Sequence, residues 1–379
     1  MYKCYLTCPR GLEEITQHDI RPIIPNSVIH PGGVEFQTDL AGIYNTNIHS
    51  RTGMHLLIEL FEFEAYDIES IYKQVYNFDW SDIIDNNQTF MVKVRGKSSC
   101  FKNNQYTTLK IKDAIVDQIK IKKLSRPSVD KNNPHIIISI FISENHIKVY
   151  LDSSGVPLHK RGYRNKIHRA ALNEALAAGL ILLSNWNKTD PFYDLMCGSG
   201  TIPIEAALIA HNIAPGLFRK NFSFQNWNNY DSDLFNKITH KTKEDIKIKS
   251  HVKIYGSDIS FSNIAMCLSS IKSLDLSNLV QFIKQDIINF KSSEPIGVII
   301  INPPYGERLK PGEENLSQLY QTIGDVFKKQ NFNFDAYIFS SNLEMIKNIG
   351  LKSEKKYILK NGRLDCRFVY YPISSSQNK

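Results

Sequence analysis

Residues 191–212 constrain the fold of this chain most tightly. Pro191 to Met196 reads as a buried strand, and Thr201 to Asn212 reads as a helix. Between them lies a glycine turn, Asp194-Leu195-Met196-Cys197-Gly198-Ser199-Gly200-Thr201. Strands and helices then alternate: Val252 to Gly256, a helix from Phe261 to Asp275, Val280 to Lys284, and Val298 to Ile301. An alanine-rich helix, Ala170 to Leu183, precedes them. Such alternation predicts a doubly wound, mostly parallel α/β sheet. An insertion from Ala214 to Ser250, mixing aromatics with lysines, separates the first helix from the second strand.

The chain has 379 residues, enough for more than one domain. Its first half predicts a mixed α+β module. Strands are expected at Lys3 to Cys8, Val34 to Phe36, Met54 to Phe61 and Phe90 to Arg95, with a hairpin from His135 to Leu151. Helices are expected over Leu12–Ile20, Ile43–His49, Asp67–Tyr76 and Leu109–Leu124. In the last of these Ile111, Ile115 and Ile119 form an apolar face opposite lysines. Gly155 to Arg164 is a basic connector between the halves.

Charge is concentrated. Phe90 to Lys131 holds 11 Lys/Arg against 3 Asp/Glu, a local +8 equal to the net charge of the molecule. A block of this kind suits a polyanion through phosphate contacts, and it equally suits a solvated face. The six cysteines are scattered without a CxxC pair, and the eleven histidines form no metal-spaced cluster, so no metal site is expected. No apolar run approaches the ~20 residues that span a bilayer, and the first residues lack a signal core. These features predict a cytoplasmic protein with reduced thiols, no membrane association and no obligatory protein partner.

The glycine turn lacks the third small residue of a dinucleotide-binding fingerprint, because Pro203 stands there. Its leading acid, Asp194, suits a cationic, adenosine-containing ligand such as S-adenosylmethionine. Asp258 ends the next strand, where a carboxylate can accept from ribose hydroxyls, and Asp286 follows the third, within reach of an adenine amine. The candidate cofactor residues are therefore Asp194, Cys197, Gly198, Ser199, Gly200, Asp258, Ile259 and Asp286. Strand-end acids also cap helices, which is the plain alternative.

The fourth strand ends in Asn302-Pro303-Pro304-Tyr305. An exocyclic amine on a nucleobase is a poor nucleophile, because its lone pair is delocalised into the ring. The Asn302 oxygen and the Pro303 carbonyl can accept its two N–H bonds and aim the nitrogen at a methyl donor. The proline rings fix the backbone beforehand, and Tyr305 offers a face for an extruded base. No Pro-Cys pair occurs, so a covalent cysteine mechanism is not expected.

Together with Leu364-Asp365-Cys366-Arg367, Leu158-His159-Lys160-Arg161-Gly162-Tyr163-Arg164 and Ala214-Pro215-Gly216-Leu217, these motifs resemble class I S-adenosylmethionine-dependent RNA methyltransferases that carry a THUMP domain. The bacterial large-subunit ribosomal RNA guanine-N2 methyltransferases are the nearest in kind, and the resemblance runs through nearly the whole chain. It implies a ferredoxin-like domain over 1–66, a THUMP RNA-binding domain over 67–153, a basic linker over 154–169 and a Rossmann-like methyltransferase domain over 170–379. It further implies N2 methylation of a guanine in 23S ribosomal RNA or its assembly intermediate. The RNA-binding candidates are Lys93, Arg95, Lys97, Lys110, Lys112 and Lys120, with His159, Lys160, Arg161 and Arg164 of the linker. An N6-adenine-specific DNA or RNA methyltransferase, or a tRNA guanine-N2 methyltransferase, is the alternative, since Asn-Pro-Pro-Tyr serves adenine amines as well.

Overall fold

The computed structural model describes residues 1–101, 103–123, 126–164, 172–249, 251–306, 313–329 and 333–374. The first half contains β1 (Tyr2–Thr7), α1 (Glu13–Ile20), β2 (Val28–His30), β3 (Gly33–Thr38), α2 (Leu40–His49) and β4 (His55–Glu64). It continues with α3 (Ile68–Asn77), β5 (Thr89–Lys97), α4 (Asn104–Lys123), β6 (Ser128–Val129), β7 (Ile136–Ser143) and β8 (His146–Asp152). These eight strands make one sheet in the order β2-β3-β1-β4-β8-β7-β5-β6. Strand β4 joins its two halves, pairing with β1 through His55–Ile58 and with β8 through Leu57–Glu64. A bulge between Glu59 and Phe61 lets it serve both neighbours. The expected cut after residue 66 thus falls beside a sheet that runs on without interruption.

Alternation along the strands sends one set of side chains to a common core. Leu6, Phe36, Ile58, Phe90, Ile138 and Val149 meet Tyr44, Ile111, Ile115 and Ile119 there. Helix α4 starts one turn before its apolar stripe because Asn103 accepts from the Gln105 and Tyr106 amides, at 3.0 and 3.1 Å. The other end of the expected helix, Leu124, lies outside the described residues, as do Ala170 and Ala171.

The second half holds α5 (Glu174–Leu183), β9 (Phe192–Asp194), α6 (Thr201–Ala210), α7 (Ser232–Glu244), β10 (Ile254–Asp258), α8 (Phe261–Ser273) and β11 (Gln281–Lys284). Then come β12 (Ile296–Ile301), α9 (Glu313–Lys328), β13 (Asn333–Ser340), α10 (Leu343–Lys347), β14 (Lys355–Asn361) and β15 (Leu364–Ile373). The sheet order is β11-β10-β9-β12-β13-β15-β14. Five strands are parallel; β15 runs antiparallel to β13, and β14 antiparallel to β15. Residues Val298–Ile301 are almost fully buried, as befits a central parallel strand covered on both faces. The chain leaves β9 toward β10 on one side and returns to β12 on the other. That reversal opens a crevice at the C-terminal strand ends, where such sheets bind ligands.

The expected insertion is not a loose loop. Its Phe222, Phe224 and Trp227 join the core of the first half, and Phe224 stacks on Tyr44 at 4.5 Å. Arg219 donates to the carbonyls of Ser154, Val156, Pro157 and Lys160, fixing the connector against the second half. Among the described residues no helix is long and apolar enough to cross a membrane.

Candidate active site

Four parallel strands deliver their ends to one crevice. The registers Gly256↔Asp194 and Asp258↔Lys284 set Asp194, Asp258 and Asp286 along the edge, and Ile299↔Tyr193 brings Asn302 in from β12. The turn after β9 folds tightly: the Cys197 amide donates to Ser257 O at 2.9 Å, and Gly200 N to Cys197 O at 2.8 Å. Gly198 and Gly200 take φ of +54° and +79°. At Gly200 a Cβ would sit 2.9 Å from Cys267 Sγ and 3.1 Å from the Phe282 ring, so glycine is required twice over. At Gly198 a Cβ would meet nothing within 4 Å, and the backbone there faces open space. Gly200 caps α6 without a side-chain bond, and the Ser199 hydroxyl is buried without a partner among the described residues.

Asp194 is buried, and among the described residues its carboxylate receives the Met196 amide at 3.2 Å. Burial pushes its carboxyl well above the usual carboxylate range; the Met196 amide opposes that rise, and the charge of Asp258 adds to it. A buried acid in this state gains most from a cation placed beside it. Asp258 does structural work as well. Its Oδ2 accepts from the Gly198 amide at 2.9 Å, and its Oδ1 accepts from the Ser260 amide and Asn263 Nδ2 at 2.9 and 3.0 Å. Ile259, next to it, is 65% exposed. Asp286 accepts from the Ile288 amide at 3.1 Å and so caps the short turn Ile287–Asn289.

The turn after β12 is pinned from behind. Tyr320 Oη donates to Pro304 O at 3.3 Å and also meets Ser340 Oγ at 2.7 Å, while Asn342 Nδ2 donates to Tyr305 O at 3.2 Å. Pro303 is buried, and Asn302 is half-buried. Tyr305 Oη donates to Asn302 Oδ1 at 2.5 Å, so the tyrosine fixes the amide as well as presenting a ring, which leans edge-on against Phe339. Residues 307 and 308 of the longer motif lie outside the described residues. Cys366 is buried, and Arg367 pairs in register with Ser340 behind the turn.

A family model for the RMKL-like methyltransferase domain matches residues 161–369. The chain belongs to this methyltransferase family. Models of the THUMP domain and the RlmL ferredoxin-like domain match residues 65–152 and 3–57, completing a chain of the RlmL type. Among curated relatives, slr0064 of Synechocystis, named as a candidate RNA methyltransferase, is 34% identical over 97% of this chain and 96% of its own. Among solved structures, the SMU.472 protein, a candidate methyltransferase solved with SAH, is 28% identical with a TM-score of 0.89, covering 98% of this chain and 97% of that one. A Listeria monocytogenes protein, named as a predicted N6-adenine-specific DNA methylase, is also 28% identical, with a TM-score of 0.86 and coverage of 98% and 96%.

In this methyltransferase the two parts of the basic block face opposite ways. Lys93, Arg95 and Lys97 alternate along β5 on the sheet face away from α4, whereas the lysines of α4 cover the helix side. They do not make the single surface that their closeness in sequence suggests. Lys110 pairs with Glu69 at 3.2 Å and Lys112 with Asp113 at 2.6 Å; Lys122 pairs with Asp79, and Lys123 with Asp85 at 3.2 Å. Lys120 is exposed. Lys93 is half-buried; burial lowers its amine, and nearby Asp152 opposes that shift.

The linker departs further from expectation. Lys160 is exposed, but Arg161 is 1% exposed and bonds to Glu205 Oε1 at 3.4 Å and Leu158 O at 2.7 Å, and to Arg51 O. Arg164 bonds to Leu172 O at 2.9 Å and to Thr201 Oγ1, with Glu174 at 3.3 Å. Neither arginine is a surface cation; Arg161 ties the linker to α6, and Arg164 ties it to α5 and α6. Burial, together with Arg161 and Lys160, pushes His159 down to about 3, and its Nδ1 is enclosed without a partner among the described residues. The supports Asn263, Cys267, Tyr320, Ser340 and Asn342 carried no motif of their own.

Proposed function

We propose that this methyltransferase transfers the methyl group of S-adenosylmethionine to the exocyclic N2 amine of a guanine in large-subunit ribosomal RNA. The observation that carries transfer to an exocyclic amine is the pinned Asn302-Pro303-Pro304-Tyr305 turn beside the glycine crevice, and the choice of guanine N2 rests on the resemblance to the RlmL type. Asn302 Oδ1 and the Pro303 carbonyl accept the two N–H bonds of the amine and direct its lone pair into the crevice. Proline restricts the turn before substrate arrives, so little motion is left to freeze in the transition state. Tyr305 holds the Asn302 amide in plane. The bound cofactor supplies an electrophilic methyl on a sulfonium. Asp194 suits its cationic amino group, Gly198 and Gly200 let it approach the backbone, and Asp258 accepts from its ribose while holding the Gly198 amide. Cys197, Ser199, Ile259 and Asp286 complete that crevice. The SMU.472 structure with SAH supports the same cofactor for this chain.

In this reading labour is divided along the chain. Residues 1–66 and 67–153, the ferredoxin-like and THUMP domains, hold RNA; 154–169 set their distance from the pocket; 170–379 perform the transfer. Lys93, Arg95 and Lys97 on the open sheet face, with Lys160, grip phosphates. Lys110, Lys112 and Lys120 add to the positive field from the helix side.

Gly200→Val should abolish cofactor binding, because its Cβ strikes Cys267 and its φ is unsuited to valine. Asp258→Ala should weaken binding by about 1–3 kcal/mol, since it removes the ribose acceptor and frees the Gly198 amide. Calorimetry with S-adenosylmethionine checks both, and wild-type affinity in Asp258→Ala would remove that assignment. Product identity is tested by mass spectrometry of ribosomal RNA nucleosides from a deletion strain and its complement. The expected result is loss and return of N2-methylguanosine. N6-methyladenosine or methylated DNA as the sole product of the purified enzyme, or methylation of tRNA alone, would overturn the substrate assignment.

A further inference from the structure

A second opening lies on the catalytic edge of the sheet, between the first half of the chain and the hairpin formed by β14 and β15. Arg10, Met54, Asn173, Lys360, Asn361 and Arg363 line it, enclosing a cleft of about 540 Å³. Arg10 and Arg363 are exposed, and among the described residues neither takes part in an ion pair. Lys360 pairs with Asp365 at 3.0 Å, and among the described residues no acidic side chain lines the cleft. The Asn173 amide, at the start of α5, lies on one wall with Met54.

The walls are built in advance. The Lys360 amide donates to Arg10 O at 3.2 Å, joining the hairpin to the loop after β1. Gly11, with φ of +93°, packs so closely that a Cβ would lie 2.4 Å from Ile358 O. Leu12, next in the chain, is fully buried in the core of the second half.

Topology sets the cleft relative to the reacting base. Ser340 at the end of β13 pairs with Arg367, so β15 and its partner overrun that end by three residues, Leu364–Cys366, about 10 Å. Asn361 pairs with Leu364, and the turn Gly362–Arg363 closes the hairpin beyond them. The overhang is on the side where β12 presents Asn302. Three strand spacings separate β12 from β14, about 14 Å, within reach of nucleotides flanking a base seated at Asn302.

We propose that this cleft holds the phosphate backbone of single-stranded RNA adjoining the target base. The proposal rests on the RNA reading above. Two guanidiniums and a lysine stand at the rim, over a floor that Cys8, Pro9, Met54 and Leu176 make largely apolar, so the rim cations are what suit phosphates. Among the described residues the lining has no aromatic ring on which a base could stack, so the contact positions the strand without reading its sequence.

The test uses the full chain and its Arg10→Ala/Arg363→Ala double variant, titrated with a short fluorescein-labelled single-stranded RNA at several KCl concentrations. The log–log salt slope should fall by about 1.4 units in the variant, about 0.7 per lost phosphate contact, with S-adenosylmethionine affinity unchanged. If the wild-type protein binds this RNA and the variant keeps its slope, the cleft assignment is overturned and the RNA reading stands. If the wild-type protein does not bind it at any salt, both fall.

Discussion

Replacing Asn302 with alanine should lower kcat by on the order of a hundredfold or more, with S-adenosylmethionine affinity nearly unchanged. The side-chain oxygen is needed most when the amine nitrogen develops positive charge, so its loss raises the barrier more than it weakens binding. The cofactor crevice is held by other contacts, chiefly Asp258 to Gly198 and Cys197 to Ser257. A companion variant separates direct from indirect effects. Tyr305→Phe removes the hydroxyl that donates to Asn302 Oδ1 but leaves that oxygen free to accept from substrate. It should lose far less turnover than Asn302→Ala. Methyl transfer from labelled cofactor into ribosomal RNA of a deletion strain measures both. An Asn302→Ala enzyme with most of its activity would show that the amine is oriented by other groups.

The crevice is legible in the sequence because its chemistry is tied to strand ends. Glycines at 198 and 200, acids at 194, 258 and 286, and the Asn-Pro-Pro-Tyr turn each follow a short apolar run, and parallel strands bring such ends together. The supports are less legible. Tyr320, Ser340 and Asn342 come from α9 and the end of β13, distant in sequence from the turn that they hold. The strands β13, β15 and β14 extend the sheet beyond β12, and local pattern says little about which partner each takes. Charge is the poorest guide. A cation at 161 and one at 160 look alike in sequence, yet one is enclosed by Glu205 and the other faces water. Likewise a continuous basic block, read along a strand and then a helix, splits between two faces of one layer.

Arg161 leads to the second large effect. It is 1% exposed, and its partner Glu205, on the helix that follows the glycine turn, is fully buried. Tyr163 Oη also donates to Glu205 Oε1, at 3.2 Å, while Oε2 is buried without a partner among the described residues. Arg161→Ala would leave Tyr163 as the carboxylate's only hydrogen-bond donor among the described residues, with the Arg51 charge nearby, and release the carbonyls of Leu158 and Arg51, which tie the linker and the first half of the chain to this point. Breaking a buried pair from one side costs about 3–5 kcal/mol, a large part of the about 5–15 kcal/mol that holds a typical protein folded. The urea midpoint should therefore fall sharply. Arg161→Met combined with Glu205→Leu removes both charges and fills their space, so it should recover the part of the loss that comes from the stranded carboxylate, while the Leu158 and Arg51 carbonyls and the Tyr163 hydroxyl stay without their partners. Glu205 stands one turn into α6, whose first residue, Thr201, is held by Arg164. The Arg161→Ala protein should therefore also bind cofactor more weakly, and the double replacement should raise that affinity and the midpoint together, part of the way to wild type. An unchanged urea midpoint in Arg161→Ala would mean that the linker is held by Arg219 and its four carbonyls instead.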